Sequence, residues 1–367
     1  MKKKYLLHSF IVIVLGLTIV SFIIDNKTFS ELENRNLKTK VTFNLKDFFN
    51  GSFQKNYETY INDQFPLRDK WISLKSRSEY VLGKVENNGI IYGNNDELFE
   101  KFDTIDEEKL KNNINAINLF SKKNLDKVSL IIAPNSYEIY REDLPLGSRQ
   151  IRQDVIIKEI YSSLKYTNNI DVFNVLMKNK GKYIYYKTDH HWTTYGAYLA
   201  YLEFIKSLGL QPIDINSLIE VNVSNFYGTY FSKAKPFNIN GDNLIYYEFD
   251  NLTMNIVGDA VYESIYDYSK LEIRDKYSMF LNGNNPITII KNSELKNGKK
   301  LLVIKDSFAN SLVPFLTQNY EEIHVIDLRS FSSKISEYIK ENAFDNILIL
   351  YNFINLSTDN SIIKLKY

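Results

Sequence analysis

Leu301-Leu302-Val303-Ile304-Lys305-Asp306-Ser307-Phe308-Ala309-Asn310-Ser311 joins four consecutive apolar residues to a serine and then to a segment that begins as a helix does. A short, uninterrupted apolar run bounded by polar residues is the pattern of a strand buried on both faces, as in parallel sheets covered by helices. Ser307 therefore falls at the carboxyl end of a strand and beside a helix N-terminus, where α/β sheets present their reactive groups. There its own backbone N–H and its neighbour's would face a developing oxyanion, and loss of one such donor typically costs about 2.7–4 kcal/mol of transition-state stabilisation.

The same pattern recurs to either side. Lys127 to Ala133 reads as a strand ending at Pro134-Asn135-Ser136, followed by a helix from Ser148 to Tyr166. A strand at Ile170–Phe173, a helix from Thr194 to Leu208, a helix from Ser311, and strands at His324–Asp327 and Ile347–Tyr351 continue the series. Strands alternating with helices predict an α/β fold with a mostly parallel sheet covered on both faces. The alternation stops over residues 215–290, where runs such as Asn243-Leu244-Ile245-Tyr246-Tyr247 predict a β-rich insertion. Upstream, residues 106–122 have helical spacing, and Gly89–Gly93 with Glu97–Glu100 read as a hairpin turning at Asn94-Asn95-Asp96. Phe48, Phe49, Phe53, Tyr57, Tyr60 and Ile61 recur at helical intervals up to Pro66, which predicts a helical neck.

Lys2, Lys3 and Lys4 precede a run from Tyr5 to Ile24 without acidic, lysine or arginine side chains. A bilayer core about 30 Å thick needs roughly 20 apolar residues of helix. Ser21-Phe22-Ile23-Ile24-Asp25 is a poor small-x-small cleavage site, so the run is expected to be an uncleaved transmembrane anchor; the alternative is a buried core helix. The lysines would stay on the cytoplasmic side, placing residues from Asp25 onward outside the cytoplasm. The expected organisation is an anchor over 1–24, a neck over 25–80 and a catalytic domain over 81–367 that carries the 215–290 insertion.

Charge excludes a general nucleic-acid binder, because 45 Lys and Arg oppose 44 Asp and Glu. The chain has no cysteine, which removes disulfides, thiolate nucleophiles and cysteine-ligated metals. Its four histidines are His8 in the anchor run, His324 in a strand of core type, and the adjacent pair His190 and His191. That pair sits in Lys187-Thr188-Asp189-His190-His191-Trp192-Thr193. Asp189 and His191 are two apart, so an extended strand end would point both to one side and His190 to the other. A serine hydroxyl needs a base near neutral pH, and His190 or His191 is the histidine available to Ser307. Each cluster also has a plainer reading: Asp-Ser before a helix is a common cap, and His-His is often structural or half of a metal site.

The Asp189-His190-His191-Trp192 run resembles the signature of the DHHW protein family. Other stretches resemble it in order: Ser30–Arg35, Tyr60–Asp69, Asn88–Gly93, Phe226-Tyr227-Gly228-Thr229, Tyr277–Asn284 and Lys305–Phe308. That family is similar to the SGNH-hydrolase-like O-acetyltransferases of alginate biosynthesis, the AlgJ and AlgX type. The resemblance implies an SGNH-like three-layer sandwich in circularly permuted order, with Ser307 as nucleophile, His191 as general base and Asp189 orienting it. Trp192 would buttress the loop, and His190 would fill the variable position. Lys305 stands where the SGNH serine block usually has glycine, and Asn352 and Arg329 are the candidates for oxyanion and substrate contacts. With no cysteine and four histidines, no metal and no cofactor is expected; the resemblance implies a cell-surface or secreted polysaccharide as substrate and a multipass acyltransferase of the MBOAT type as acetyl supplier. A carbohydrate esterase with the same triad, a non-catalytic carbohydrate-binding or assembly protein, and metal-dependent hydrolysis at Asp189, His190 and His191 are the competing readings.

Overall fold

The computed structural model describes residues 2–30 and 32–367; Glu31, in the Ser30–Arg35 stretch, lies outside them. The chain divides into two compact units, residues 1–85 with 232–239, and residues 86–231 with 240–367.

In the first unit the apolar run forms α1 (Lys2–Ile23), and the stretch Lys4–Ser21 is not covered by protein. α2 (Leu45–Phe49), α3 (Ser52–Asp63) and α4 (Arg68–Val81) follow, with the helical spacing broken at Pro66 between the last two. The two family-like stretches here hold each other. Arg35 clamps the Asp63 carboxylate at 2.5 and 3.1 Å, and Arg68 Nη2 donates to Glu33 Oε2 at 2.6 Å. Lys235 also pairs with Glu33, tying the 232–239 segment to this unit.

In the second unit, eight strands among the described residues form one sheet. In chain order they are β1 (Val128–Ala133), β2 (Asn168–Ile170), β3 (Leu252–Ile256), β4 (Val261–Tyr262), β5 (Ile287–Asn292), β6 (Lys300–Lys305), β7 (Glu322–Ile326) and β8 (Asn346–Asn352). Across the sheet the order is β4-β3-β5-β7-β6-β8-β1-β2. From β7 to β2 the pairs are parallel, and β5, β3 and β4 add antiparallel at the other edge. The buried side chains sort by parity as a pleated sheet requires. Ile131, Leu301, Val303, Val325, Leu348 and Leu350 join one core with α7 (Thr194–Ser207). Leu130, Ile132, Leu302, Ile304, Ile326, Ile347 and Ile349 join the other with α5 (Glu107–Lys123) and α6 (Gln153–Ser163). The result is helix, sheet, helix.

Several expectations need correction. The helix expected from Ser148 starts at Gln153, where the buried Glu138 carboxylate accepts the Gln153 N–H at 2.9 Å and caps the first turn. The strand expected at 170–173 ends at Ile170, and Phe173 opens a short helix. No long helix starts at Ser311: a 3-10 turn spans Ser307–Ser311 and a short helix spans Val313–Leu316. The 215–290 region is not wholly an insertion, because β3, β4 and β5 extend the main sheet while Glu220–Phe226 and Asp242–Tyr247 pair apart from it.

Candidate active site

β6 ends at Lys305, flanked by the parallel strands β7 and β8, so the chain leaves the sheet at its carboxyl edge and turns through Asp306 and Ser307. Asp306 sets this turn. Its Oδ1 accepts the Phe308 N–H at 2.9 Å, and its Oδ2 accepts Asn352 N, Asn352 Nδ2 and Asn355 Nδ2 at 2.8, 2.7 and 2.9 Å. Burial raises the pKa of this carboxyl, and these donors oppose the rise. The Phe308 N–H expected at an oxyanion is thus spent on the Asp306 cap, and Asp306 N donates to Leu350 O at 3.1 Å.

The histidine cluster reaches the same edge from another part of the chain. Residues 187–191 are bends rather than strand, closed by an isolated bridge between Tyr185 and Trp192 and by Thr193 N–H donating to Ile184 O at 2.9 Å. Within the bend, Asp189 Oδ1 lies 2.5 Å from His191 Nδ1 and accepts the His191 N–H at 3.1 Å. An ionised carboxylate only accepts, so Nδ1 carries the proton and Nε2 is left as the acceptor. His191 Nε2 lies 2.7 Å from Ser307 Oγ. Two residues 116 apart in sequence are therefore in direct hydrogen-bonding contact.

Three further groups hold this line in place. Thr229 N–H donates to Asp189 Oδ2 at 2.7 Å, and a Cβ on Gly228 would overlap Asp189 Cβ and Oδ2, so only glycine lets that backbone approach. The Tyr277 ring stacks on His191 with centroids 3.8 Å apart and planes 9° apart, while its hydroxyl donates to Ser307 O at 3.0 Å. Trp192 Nε1 donates to Phe308 O at 2.9 Å, linking the histidine bend to the serine turn. Ser307 keeps 9% of its surface exposed at the bottom of this arrangement.

His190 does not point away as an extended strand end would direct it. Its ring packs on His191 with centroids 3.7 Å apart, and its Nδ1 is 3.5 Å from Asp189 Oδ2. One carboxylate thus serves two imidazoles. Burial pushes His191 down, and a positive His190 pushes it further, to about 4, against the pull of Asp189. Burial also opposes a charge on His190, but Asp189 outweighs it and the net shift is upward. The Asp189 carboxyl, which burial alone would raise, is held well below the ordinary carboxylate range by the two imidazoles. The two shifts run in opposite directions, so His190 takes up a proton before His191, which at about 4 is neutral near pH 7.

The DHHW protein family matches residues 112–326, more than half of the chain and inclusive of both clusters. This chain belongs to the DHHW family. A DHHW protein from Eubacterium siraeum has the same fold at a TM-score of 0.67 and 24% identity, over 76% of this chain and 96% of that one. Bacillus cereus PatB1 is similarly alike: its structure with a sulfonyl adduct gives a TM-score of 0.64 and 22% identity over 76% and 98% of the two chains. Its structure without the adduct gives 0.63 and 23% over 76% and 99%. No curated protein matches the sequence closely enough to report.

In this DHHW chain the other sequence candidates take less direct places. Asn352 caps the helix after β8, accepting Asn355 N–H at 3.0 Å, and gives its Nδ2 to Asp306, so its amide is committed to the scaffold rather than turned to an oxyanion. Arg329 clamps Asp327 through Nε at 2.9 Å and Nη2 at 2.5 Å, which occupies two of its donor groups. The buried Lys305 bonds Asn284 Oδ1 at 2.5 Å and lies 3.9 Å from Asp327, and burial lowers its pKa to about 8. It anchors the Gly283–Asn284 loop beneath the turn, with Asn310 Nδ2 donating to the same Asn284 oxygen at 3.3 Å. Ligand atoms of Asp189, His190 and His191 lie within 4.8 Å of one another, but both ring nitrogens of His191 are already engaged, which fits a metal poorly. Away from the site, His324 bonds Tyr338 at 2.7 Å and Glu322 at 2.8 Å as a satisfied core residue. Sequence reasoning missed Tyr277 and Gly228 as parts of the site, although both lie in stretches that carry the family resemblance.

Proposed function

We propose that this DHHW protein is an extracytoplasmic O-acyltransferase that moves acetyl onto a cell-surface or secreted polysaccharide through Ser307, His191 and Asp189. The observation that carries this is the unbroken relay from Asp189 through His191 to Ser307 at the carboxyl edge of the sheet. Ser307 Oγ attacks the carbonyl of an acetyl donor as its proton passes to His191 Nε2, and the donor's alcohol leaves with that proton. A sugar hydroxyl then gives its proton to Nε2 and attacks the acyl-serine, and Ser307 is regenerated with the proton. Asp189 fixes the His191 tautomer and stabilises the imidazolium formed midway. The Ser307 N–H and the amide of Asn284, whose oxygen is turned toward Lys305 and Asn310, are the proposed oxyanion donors. The upstream position of Asp189 and His191 relative to Ser307 is the order of a circularly permuted SGNH enzyme. α1 would hold the protein in the membrane with the catalytic unit outside the cytoplasm, near an MBOAT-type supplier of acetyl groups.

The test is acetyl transfer from p-nitrophenyl acetate with and without an oligosaccharide acceptor, comparing the protein with Ser307→Ala and His191→Ala. Nitrophenol release that both substitutions abolish, with acetyl recovered on the sugar, supports the reading. Acetate as the product at every acceptor concentration would make the protein an esterase. Equal background rates in all three would leave it a binding or assembly protein. As PatB1 has been solved with a sulfonyl adduct, a sulfonyl fluoride is a second probe of Ser307.

A further inference from the structure

Three apolar side chains in the first unit are exposed where α3 meets α4: Phe65, Leu67 and Trp71 at 39%, 51% and 47%. Leu67 also has φ +57°, a left-handed conformation that a leucine adopts only where its neighbours hold it. The elbow is rigidly tied rather than loose. Trp71 N–H and Lys70 N–H both donate to Leu67 O, and Trp71 Nε1 donates to Pro66 O at 3.2 Å, laying the indole along the elbow with its polar edge satisfied. The structure thus holds an apolar knuckle outward.

Its position says what covers it. Lys27 N–H donates to Gln64 Oε1 at 3.0 Å and Gln64 Nε2 donates back to Lys27 O at 2.9 Å, fixing the elbow to the segment that leaves α1 at Ile23. Ile24 and Asp25 line the same cavity of about 320 Å3 as Phe65 and Leu67. The knuckle therefore stands beside the end of a helix whose 4–21 stretch is uncovered by protein. Aromatic rings with one polar edge concentrate at the headgroup level of a bilayer. The charges around it nearly cancel: Lys27 lies 3.7 Å from Asp69, and Asp25 and Lys70 line the cavity. Nothing in that balance favours an anionic surface over a zwitterionic one.

We propose that Phe65, Leu67 and Trp71 seat the first unit on the phospholipid surface of the bilayer crossed by α1, an apolar contact independent of lipid charge. This rests on reading α1 as a membrane anchor. The chain carries its own probe, since Trp71 and Trp192 are its only tryptophans and Trp192 is fully buried in the second unit. The full chain is reconstituted in phosphatidylcholine vesicles, floated, and titrated with lipid brominated on the upper acyl chain, alongside Trp71→Phe. The expected result is flotation, with the Trp71 difference signal largely quenched by the brominated lipid and unchanged when anionic lipid is added, as for side chains about 5–10 Å into the interface. A chain that floats but whose Trp71 signal yields to aqueous iodide and not to brominated lipid overturns the proposal and leaves the anchor standing. Shielding from both quenchers also overturns it, because protein then covers the knuckle. A chain that does not float removes the anchor reading, and the proposal with it.

Discussion

Replacing His190 with glutamine should move the acid limb of activity to higher pH. His190 and His191 share Asp189, with ring centroids 3.7 Å apart, and the charge on His190 is what adds to burial in depressing His191 to about 4. Two unit charges 4 Å apart repel by about 1 kcal/mol in water and about 4 kcal/mol at an effective dielectric of 20. His190 keeps 26% of its side chain exposed, so the coupling falls between these limits. At about 1.4 kcal/mol per pH unit, the shift expected for His191 is about 1–2 units upward. The sign follows from the role of the base. His191 must be neutral to take the Ser307 proton, so raising its pKa removes activity on the acid side and leaves the alkaline side alone. At pH 5 the variant should retain about a tenth to a half of the wild-type kcat/KM, and at pH 8 the two should agree within about twofold. Discontinuous assays with p-nitrophenyl acetate, with nitrophenol read after raising the pH, give the profile. Superimposable profiles, or an equal loss at every pH, would refute the account in which charge on His190 depresses His191.

Two other substitutions separate the brace of the site from its scaffold. Gly228→Ala should displace the Thr229 N–H from Asp189 and lower kcat/KM about 10–100-fold, the loss of a hydrogen bond to a charged group, with a stability cost of about 1–3 kcal/mol from the buried overlap. Asp306→Ala leaves the buried Asn352 and half-buried Asn355 donors without their acceptor and should cost about 3–5 kcal/mol of stability in urea unfolding, read by circular dichroism.

The parts of the fold legible in the sequence were those with one simple physical cause. β1, β6 and β8 are buried on both faces, which writes them as mainly apolar runs, interrupted in β1 by Ser129 alone. β3 alternates buried with exposed residues and β5 buried with half-buried or exposed ones, the pattern of half-covered antiparallel strands, and that pattern does not say which sheet they join. The serine and histidine clusters stood out because the chain has few histidines, and the structure brings them to 2.7 Å. Asn352 looked available because the donors claimed by Asp306 come from a strand 46 residues away, a pairing only the tertiary fold creates. Tyr277 was hidden among 27 tyrosines. Gly228 was hidden because its reason is a close approach to Asp189, and no local turn required it.

The central claim is that Ser307 becomes acylated because His191 takes its proton. Intact-mass spectrometry after rapid quenching of the protein with p-nitrophenyl acetate, followed by peptide mapping, measures this directly. One acetyl group on the peptide containing Ser307, absent in His191→Ala, is the predicted result. Acetyl groups spread over surface lysines, with the same pattern in His191→Ala, would contradict it.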